Sequence, residues 1–475
     1  MIILHNILIL VDYFCIFKFQ TPLIQDKIDI LLETNPDEVS DFLNTYLSFS
    51  SVAVIVLAVA AFNLSSYLLA SAAHKLLKHK GWCAITAAIG FGGWIFMAVS
   101  YKMYGNGFSI PQFTSPTRIA YSYHTYSARY GDIKALCQTC KNAEAASSFG
   151  DTPNVVVVIG ESFSVYHSPL FGYEKDTNPL LGKRVGDGSM VVFGNAVAVS
   201  DHTHGVMESV FSPDLLHKAF SSTPVFPALF RKAGYKSLCY ENQYFIDGKM
   251  NFLCNEELSG LMFDERNNTK YEYDGALANT IKSSPGNHLY VVHLMGQHYT
   301  YSNRYPAEWK KFKADDYDKA RWNAEQREKI AHYDNATLYN DFVVDGIIDK
   351  FEGTNTIIVY FSDHGQEVFE TRDYSGHGNA ALSPDIRYQL RVPLMVWMSD
   401  KYKEAHPDVY ESAVANKNTP IHTDNISHTL LSVAGIKTEW YDPERDFLNG
   451  RYDKGAPRIV MKGVDFDKTV QGYGK

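Results

Sequence analysis

The sequence predicts an α/β domain whose sheet is mostly parallel and flanked by helices, preceded by an N-terminal helical transmembrane region. Two observations support this fold class. After residue 150, short apolar runs bounded by turns alternate with longer segments of helical periodicity, which is typical of α/β domains. Within the first 105 residues, by contrast, two long segments are almost free of charge.

The segments 47–73 and 82–104 are the two clear candidate spans. The first carries no charge, and the second carries none before Lys102. As a helix, each is long enough to cross about 30 Å of hydrocarbon. A third segment, residues 1–19, is interrupted by Asp12 and lacks the basic start and cleavage site of a signal peptide. It is either a weak first span or a signal-like or mis-started N-terminus.

The flanking charges orient this transmembrane region, residues 1–105. Residues 74–81, between the two spans, contain three lysines, whereas residues 20–46 contain six acidic residues and one lysine. The positive-inside rule therefore places residues 74–81 in the cytoplasm. By alternation, the chain after residue 104 lies on the far side of the membrane, which in a bacterium is the periplasm or cell exterior.

Two further regions follow the membrane portion. Residues 106–150 mix Tyr and Arg with Ser and Ala and contain no long apolar run. This composition indicates a linker on the membrane surface or an ordinary surface linker. Residues 151–475 then form the periplasmic domain. The net charge of -9 (Lys+Arg 44, Asp+Glu 53) argues against nucleic-acid binding, and the 14% of aromatic residues argues against disorder.

Four apolar runs predict the buried strands of this domain. They are Asn154–Ile159, Leu289–Leu294, Thr356–Phe361 and Val392–Met398, with helices over Tyr333–Phe351 and Asp424–Ala434. Strands that are apolar on both faces are typical of parallel sheets covered by helices on each side. Ligands of such sheets bind at the carboxyl ends of the strands.

Polar side chains follow three of these strands. Glu161 comes after the first run, His298 after the second, and Asp363 with His364 after the third. Taken singly, each has an ordinary structural explanation, such as a helix cap. Together they form the carboxylate and imidazole set that Zn²⁺ or Mn²⁺ prefers, so the sequence predicts a metal site.

Thr203 is the candidate nucleophile. It lies in the polar turn 200–205, directly before an apolar segment that is able to begin a helix. A metal cation lowers the pKa of a coordinated hydroxyl and turns a poor nucleophile into a good one. The alternative is that Thr203 only caps the helix. The neighbouring Asp201, His202 and His204 are further candidate ligands or proton carriers.

Seven segments resemble, in the same order, the phosphoethanolamine transferases of the alkaline phosphatase superfamily. They are VVIGESFSVYHSPLFGYEKDTNPLL, SDHTHGVMESVFS, VVHLMGQHYTYSNRYP, YDNATLYNDFVVDGII, YFSDHGQEVF, SGHGN and HTDNISHTLLSVAG. The similarity extends from about Asn154 to Gly435, and it implies an alkaline-phosphatase-like fold for this part of the chain.

The resemblance also implies roles for individual residues. It places the metal ligands at Glu161, Thr203, Asp363 and His364, with Zn²⁺ expected and Mn²⁺ as the alternative. It places catalytic and phosphate-binding histidines, or ligands of a second zinc, at His298 and His377, and substrate contacts at Asn242 and Lys249. The chain departs from the family pattern at Gln366, where many members have Glu, and in having fewer clear spans than the usual five.

The implied reaction is the transfer of phosphoethanolamine in two displacements. Thr203 attacks phosphatidylethanolamine and releases diacylglycerol, and a glycolipid of the lipid A or lipopolysaccharide core type then takes the group from the threonine. The expected enzyme is a monomer in the bacterial inner membrane, with a periplasmic catalytic domain and no nucleic-acid partner.

Two alternatives stay open, and one is rejected. The donor lipid could be phosphatidylglycerol, which would make the protein a glycerol-phosphate transferase. The metal-bound domain could also be a structural or sensor domain without turnover. A sulfatase needs Cys or Ser in a C/S-x-P-x-R motif, and the nearest match, residues 114–118, has Thr at that position.

The cysteines fit an oxidising compartment. Cys15 and Cys83 lie in the membrane portion, and an even number follows it: Cys137, Cys140, Cys239 and Cys254. The favoured disulfide joins Cys239 to Cys254. The Cys137-x-x-Cys140 pair could form a tight bridge or, alternatively, a metal or redox pair, so the connectivity stays open.

Overall fold

The computed structural model describes residues 49–76, 115–213, 220–243, 252–378, 380, 383–461 and 463–472, together with isolated residues before position 29. The chain forms two compact units, Met1–Tyr130 and Gly131–Lys475. The α-helices are α1 (Phe49–Leu76), α2 (Ser115–Asn142), α3 (Pro179–Gly186), α4 (Thr203–Phe211), α5 (Phe226–Lys232), α6 (Glu256–Met262), α7 (Asp274–Thr280), α8 (Ala324–Asp349), α9 (Arg387–Leu390), α10 (Asp400–Ala405), α11 (Pro407–Asn416), α12 (Ile426–Val433) and α13 (Phe466–Gln471).

Seven strands form the central sheet of the second unit. They are β1 (Asn154–Gly160), β2 (Met190–Phe193), β3 (Lys236–Glu241), β4 (Glu265–Arg266), β5 (His288–His293), β6 (Thr356–Ser362) and β7 (Leu394–Met398). Short two-stranded ribbons pair Ala146–Ser147 with Ile436–Lys437, Ala196–Val197 with Ile421–His422, Glu367–Val368 with Ser375–Gly376, and Ile459–Val460 with Val464–Asp465.

Helix α1 is the membrane-span candidate of the first unit. Among the described residues it is the one helix long and apolar enough to cross a bilayer, over Val56–Ala73, and this window falls within the predicted span 47–73. The predicted span 82–104 lies outside the described residues. Of the predicted span 1–19, only residues 7, 8, 10, 11, 14 and 15 are described, and they are helical.

The second unit begins inside the predicted linker 106–150. From Gly131 onward, α2 buries Ile133 and Leu136 in the core of this unit, where they are 3% and 0% exposed. The ribbon strand Ala146–Ser147 then pairs with Ile436–Lys437. The end of the predicted linker is therefore part of the folded unit, which starts earlier than the predicted residue 151.

The sheet order is β2-β7-β6-β1-β5-β3-β4. All neighbouring strands pair in parallel except β7, which runs antiparallel to both β2 and β6. The predicted mostly parallel sheet is confirmed. The four predicted apolar runs correspond to β1, β5, β6 and β7, whereas β2 is only four residues long, β3 is partly exposed and β4 has two residues.

Strand β1 lies at the centre of the core because both of its faces are covered. Val155, Val157 and Ile159 pack into one hydrophobic cluster, and Val156 and Val158 pack into another on the opposite face. Helix α8 contributes to the second cluster, and α5 and α12 contribute to the first. Burial of one such valine stabilises the fold by roughly 1.5–3 kcal/mol, so the strand ends rest on a rigid base.

The predicted disulfide between Cys239 and Cys254 is not formed. Both residues are buried as thiols, and the Cys254 side chain hydrogen-bonds Arg266. Cys137 and Cys140 are also reduced and buried. Burial raises the pKa of the Cys140 thiol to about 11, which makes it a weak nucleophile at neutral pH.

Candidate metal centre

Two adjacent parallel strands bring the acidic residues of the site together. Strands β1 and β6 pair so that Gly160 lies opposite Ser362. Glu161 directly follows the end of β1, and Asp363 directly follows the end of β6. The Asp363 N–H donates to the Gly160 carbonyl over 3.0 Å, and the Ser162 N–H donates to Asp363 Oδ1 over 3.1 Å. Both carboxylates are fully buried, and their backbones are fixed by these hydrogen bonds.

Glu161, His364 and His377 form a cluster of ligand atoms. One atom from each lies within 4.8 Å of the others. His364 Nε2 is 3.4 Å from Glu161 Oε1 and 3.3 Å from Asp363 Oδ2. Asp363 Oδ2 and His364 Nε2 are two of the several buried polar atoms, among the described residues, that have no hydrogen-bond partner. Because such atoms are rarely left unsatisfied, this donor set fits a divalent cation.

The charges of the cluster are strongly coupled. Burial opposes the ionisation of Glu161, but His364 and the two other histidines hold its pKa well below the usual range. Burial and repulsion from Glu161 raise the pKa of Asp363 to about 7. Although burial favours a neutral ring, Asp363 and Glu161 raise the pKa of His364 to about 10. The buried carboxylates therefore attract positive charge, which a proton or a metal ion can supply.

Thr203 meets this cluster as the first residue of α4. Its Oγ1 donates a hydrogen bond of 3.1 Å to Glu161 Oε2. His202 occupies the N-cap position, so Thr203 itself is not the cap. The threonine is only partly buried, and its hydroxyl stands at the helix N-terminus, where backbone N–H groups favour an anion. A hydroxyl beside a cation site and an anion-binding helix end is suited to attack on phosphorus.

The residues around Thr203 support the turn. Asp201 Oδ2 accepts a hydrogen bond of 2.7 Å from the Ala380 N–H, and its Oδ1 lies 3.1 Å from His202 Nδ1. His204 pairs with Glu208 on the same helix over 2.9 Å. Three neighbours of Thr203 were further candidate ligands or proton carriers: Asp201, His202 and His204. None of them belongs to the ligand cluster found among the described residues.

His298 and His377 face the same site from two other segments. His298 follows β5, and burial lowers its pKa to about 4 despite the attraction of Glu161. The His377 ring centroid is 4.0 Å from that of His364, and burial and His364 hold its pKa well below the usual range. Both rings are neutral at neutral pH and are able to accept a proton or a ligand.

The loop after β5 fits closely against Glu161. Gly296 has a φ of +46°, and a Cβ at this position would approach the Glu161 backbone to 2.8 Å. The Gln297 N–H donates to the Glu161 carbonyl over 2.9 Å. Glycine is therefore required here, both for the left-handed conformation and for the close approach that brings His298 to the site.

Asn242 is fully buried, and both halves of its amide are engaged. Its Nδ2 donates to Asp274 Oδ1 over 2.8 Å, and its Oδ1 accepts from the Tyr271 N–H over 2.8 Å. Asp274 in turn accepts from the N–H groups of Met295 and Gly296. The structure thus places Asn242 in support of the loop that carries His298. Lys249 lies outside the described residues.

Gln243 is a residue of the site that the sequence pattern did not predict. Its Nε2 donates to Glu161 Oε2 over 3.2 Å and to the Leu294 carbonyl over 2.6 Å. It directly follows Asn242 beyond the end of β3. The only available signal was this position after a strand, and β3 lacks the apolar run that would have identified it.

Residues 153–436 match the sulfatase family, and the chain belongs to that family. It is 27% identical over 486 residues to the phosphoethanolamine transferase EptC of Escherichia coli K12, covering 94% of this chain and 82% of EptC. It is 26% identical over 448 residues to the phosphoethanolamine transferase EptA of Helicobacter pylori, covering 91% of this chain and 81% of EptA.

Solved structures agree with this assignment. The C-terminal periplasmic domain of E. coli EptC, in complex with Zn, matches with a TM-score of 0.60 and 25% identity over 68% of this chain and 96% of that domain. The integral membrane protein EptA of Neisseria meningitidis shares the fold, with a TM-score of 0.64 and 18% identity over 94% of this chain and 86% of EptA. The predicted alkaline-phosphatase-like fold and the resemblance to phosphoethanolamine transferases are confirmed.

Proposed function

We propose that the protein is a membrane-anchored, metal-dependent transferase that moves phosphoethanolamine from phosphatidylethanolamine to a surface glycolipid of the lipid A or lipopolysaccharide core type. The observation that carries this proposal is the Thr203 hydroxyl, held 3.1 Å from Glu161 Oε2 beside the cluster of Glu161, His364 and His377. The names of the EptC and EptA relatives supply the transferred group.

The residues that would hold the cation are Glu161, Thr203, Asp363 and His364, with His377 beside them. The unsatisfied Asp363 Oδ2 and His364 Nε2 atoms support this assignment. Zn²⁺ is the expected ion, since the related EptC domain was obtained as a Zn complex, and Mn²⁺ suits the same oxygen and nitrogen ligands. When bound, the cation lowers the pKa of the hydroxyl and offsets the charge of the phosphoryl oxygens.

The chain's own residues then carry out two displacements. Glu161 Oε2 accepts the hydrogen bond of the Thr203 hydroxyl and so aims the oxygen lone pairs away from the carboxylate. Thr203 Oγ1 forms a bond to phosphorus while the bond to the diacylglycerol oxygen breaks, and this oxygen leaves with a proton. A hydroxyl or phosphate oxygen of the acceptor next attacks phosphorus, and the bond to Thr203 breaks and restores the hydroxyl. We assign the proton transfers to His298, which would take the Thr203 proton and give it to the leaving diacylglycerol oxygen, and then take the proton of the acceptor hydroxyl and return it to Thr203 Oγ1.

Attachment to the membrane suits this reaction because the donor is a bilayer lipid. Helix α1 supports an anchor in the bacterial inner membrane, with the second unit in the periplasm. An anchored enzyme encounters its lipid substrate at a higher effective concentration than a free one. We propose that the enzyme acts as a monomer.

The experiment supplies the detergent-purified protein with fluorescent phosphatidylethanolamine or phosphatidylglycerol, with and without a chelator. The expected result is metal-dependent release of fluorescent diacylglycerol from the ethanolamine lipid, lost in Thr203→Ala. The matched control is Thr280→Ala, at the end of α7, whose hydroxyl donates to the Leu277 carbonyl within the same helix. Release from the glycerol lipid alone would replace the proposed donor, and release from neither lipid would contradict the proposed transferase.

A further inference from the structure

Gln366 lies two residues after His364 and is fully buried. Its Oε1 is 2.8 Å from His377 Nδ1, and its Nε2 donates to Tyr301 Oη over 2.6 Å. The Tyr301 hydroxyl is also 2.8 Å from Ser375 Oγ. Both halves of the amide are therefore engaged, one of them with a histidine of the ligand cluster.

The backbone places these two side chains opposite each other. The ribbon of Glu367–Val368 and Ser375–Gly376 pairs Gly376 with Glu367. Gln366 and His377 are therefore the next residues on its two facing strands. The contact thus follows from a fixed strand register. The contact does not require a flexible loop to bring Gln366 close to His377.

The chemistry of the amide determines the state of the imidazole. An amide oxygen only accepts hydrogen bonds, so with Gln366 Oε1 facing it, His377 Nδ1 is assigned as the donor. In the neutral ring the lone pair then lies on Nε2. Because Gln366 occupies Nδ1, Nε2 is the atom that His377 offers to the cluster with Glu161 and His364.

His364 is oriented in the same manner. Its Nδ1 lies 2.9 Å from the Gly365 carbonyl, and its Nε2 faces Glu161 and Asp363. Each histidine therefore gives its Nδ1 hydrogen to an amide oxygen, in one case from the backbone and in the other from Gln366. Partners of this kind fix the tautomer and direction of metal-binding histidines.

We propose that Gln366 is a positioning residue that holds His377 as the Nδ1–H tautomer, so that Nε2 serves as an additional ligand of the cation at the Glu161–His364 site. This inference rests on the proposed function in one respect, namely that the site binds a divalent metal. Many family members have Glu at this position, and the neutral amide of Gln366 accepts from His377 the hydrogen bond that such a carboxylate would accept. It adds no third negative charge beside the buried Glu161 and Asp363.

The test measures metal binding by the full-length protein in detergent, with no lipid substrate. Zinc affinity is determined by competition with a chromophoric chelator, and the ligand field is read from the visible spectrum of the Co²⁺-loaded protein. Gln366→Met keeps the side-chain length but removes the acceptor, and we expect it to weaken zinc binding roughly 10- to 100-fold. Gln366→Glu restores an acceptor and is expected to recover most of this loss.

The matched control is Gln389→Met, which replaces another fully buried glutamine, whose amide donates to Glu367. Its zinc affinity should equal that of the wild-type protein. The decisive comparison uses His377→Ala. If Gln366 acts through His377, adding Gln366→Met to His377→Ala changes neither zinc affinity nor the Co²⁺ spectrum.

An unchanged zinc affinity in Gln366→Met, or an additive loss in the double variant, would overturn the inference. Should Gln366→Met fail to fold, ¹⁵N-histidine NMR of the wild-type protein decides the matter, with His377→Ala assigning the signal. Protonation at Nδ1 supports the proposal, and protonation at Nε2 overturns it. If Gln366→Met loses zinc affinity but the wild-type protein turns over no lipid, this inference stands and only the proposed function is contradicted. A wild-type protein that binds no zinc would contradict both.

Discussion

The Thr203 hydroxyl donates to Oε2 of Glu161 over 3.1 Å, although the two residues are 42 positions apart in the sequence. Glu161 is fixed by the end of β1, and Thr203 is fixed by the start of α4. If these are the nucleophile and a metal ligand, as we propose, two rigid elements hold them together and they need no reorganisation before reaction, which lowers the cost of reaching the transition state.

Replacement of Thr203 should separate chemistry from metal binding. Thr203→Ala removes the attacking oxygen, and we expect turnover to fall on the order of a thousandfold or more. Thr203→Ser retains a hydroxyl and should keep a substantial part of the activity. Mass spectrometry of the protein incubated with phosphatidylethanolamine should show a phosphoethanolamine adduct on the peptide that contains Thr203. An adduct on any other residue would reassign the nucleophile.

Metal removal should destabilise the protein because the cation offsets buried negative charge. A metal present at a hundred times its dissociation constant stabilises the folded state by about 2.7 kcal/mol, so chelation should lower Tm by about 4 °C. Zinc added back should restore Tm. Glu161→Gln lacks a ligand and should show no response to the chelator. A wild-type Tm that is independent of chelator would contradict a metal at this site.

Much of the site was predictable because it follows from the order of the sheet. Strands β1 and β6 are continuous apolar runs, and the ends of adjacent parallel strands must meet, so Glu161 and Asp363 with His364 could be placed together from the pattern alone. The Thr203 helix start was predicted from its polar turn. His377 lies after a two-residue ribbon strand that has no such pattern, and only the family resemblance identified it.

The rest depends on contacts that the sequence does not encode locally. Asn242 and Gln243 are adjacent, yet the backbone turns one towards Asp274 and the other towards Glu161. The prediction of a Cys239–Cys254 disulfide was wrong, because an even number of cysteines does not determine whether two of them reach bonding geometry. From the sequence, Gln366 is identified only as a departure from the family pattern. Its contact with His377 follows from the ribbon register, which places the two residues opposite each other.

Asn242 offers a direct test between support and substrate contact. Asn242→Ala leaves Asp274 Oδ1 without its side-chain donor, and the free energy of unfolding should fall by about 1–3 kcal/mol. We expect KM for the donor lipid to change little, since the amide is enclosed. Asn355→Ala, which removes an amide that bonds the exposed Asp151, is the control and should be nearly neutral. A raised KM with unchanged stability would instead make Asn242 a substrate contact.

His167 should make the stability of the protein depend on pH. Its Nδ1 lies 2.6 Å from Asp334 Oδ1, and its Nε2 lies 3.3 Å from Glu370 Oε1. Burial alone would lower the pKa of this ring, but the two carboxylates outweigh it and raise the pKa to about 9. In the unfolded chain a histidine titrates near about 6.5.

The sign follows from this difference. A group whose pKa is raised by folding stabilises the folded state fully below the unfolded value, and that contribution disappears as the pH rises through the folded value. We therefore expect stability to decrease between about pH 6.5 and 9, by on the order of 3 kcal/mol. Denaturant unfolding of the zinc-saturated protein, which keeps His364 from titrating, should reveal this decrease. His167→Gln should be less stable at pH 6 and should flatten the profile, whereas His332→Gln, a histidine whose pKa is lowered by burial, should keep the wild-type slope. A slope unchanged in His167→Gln would show that the ring is neutral in the folded protein.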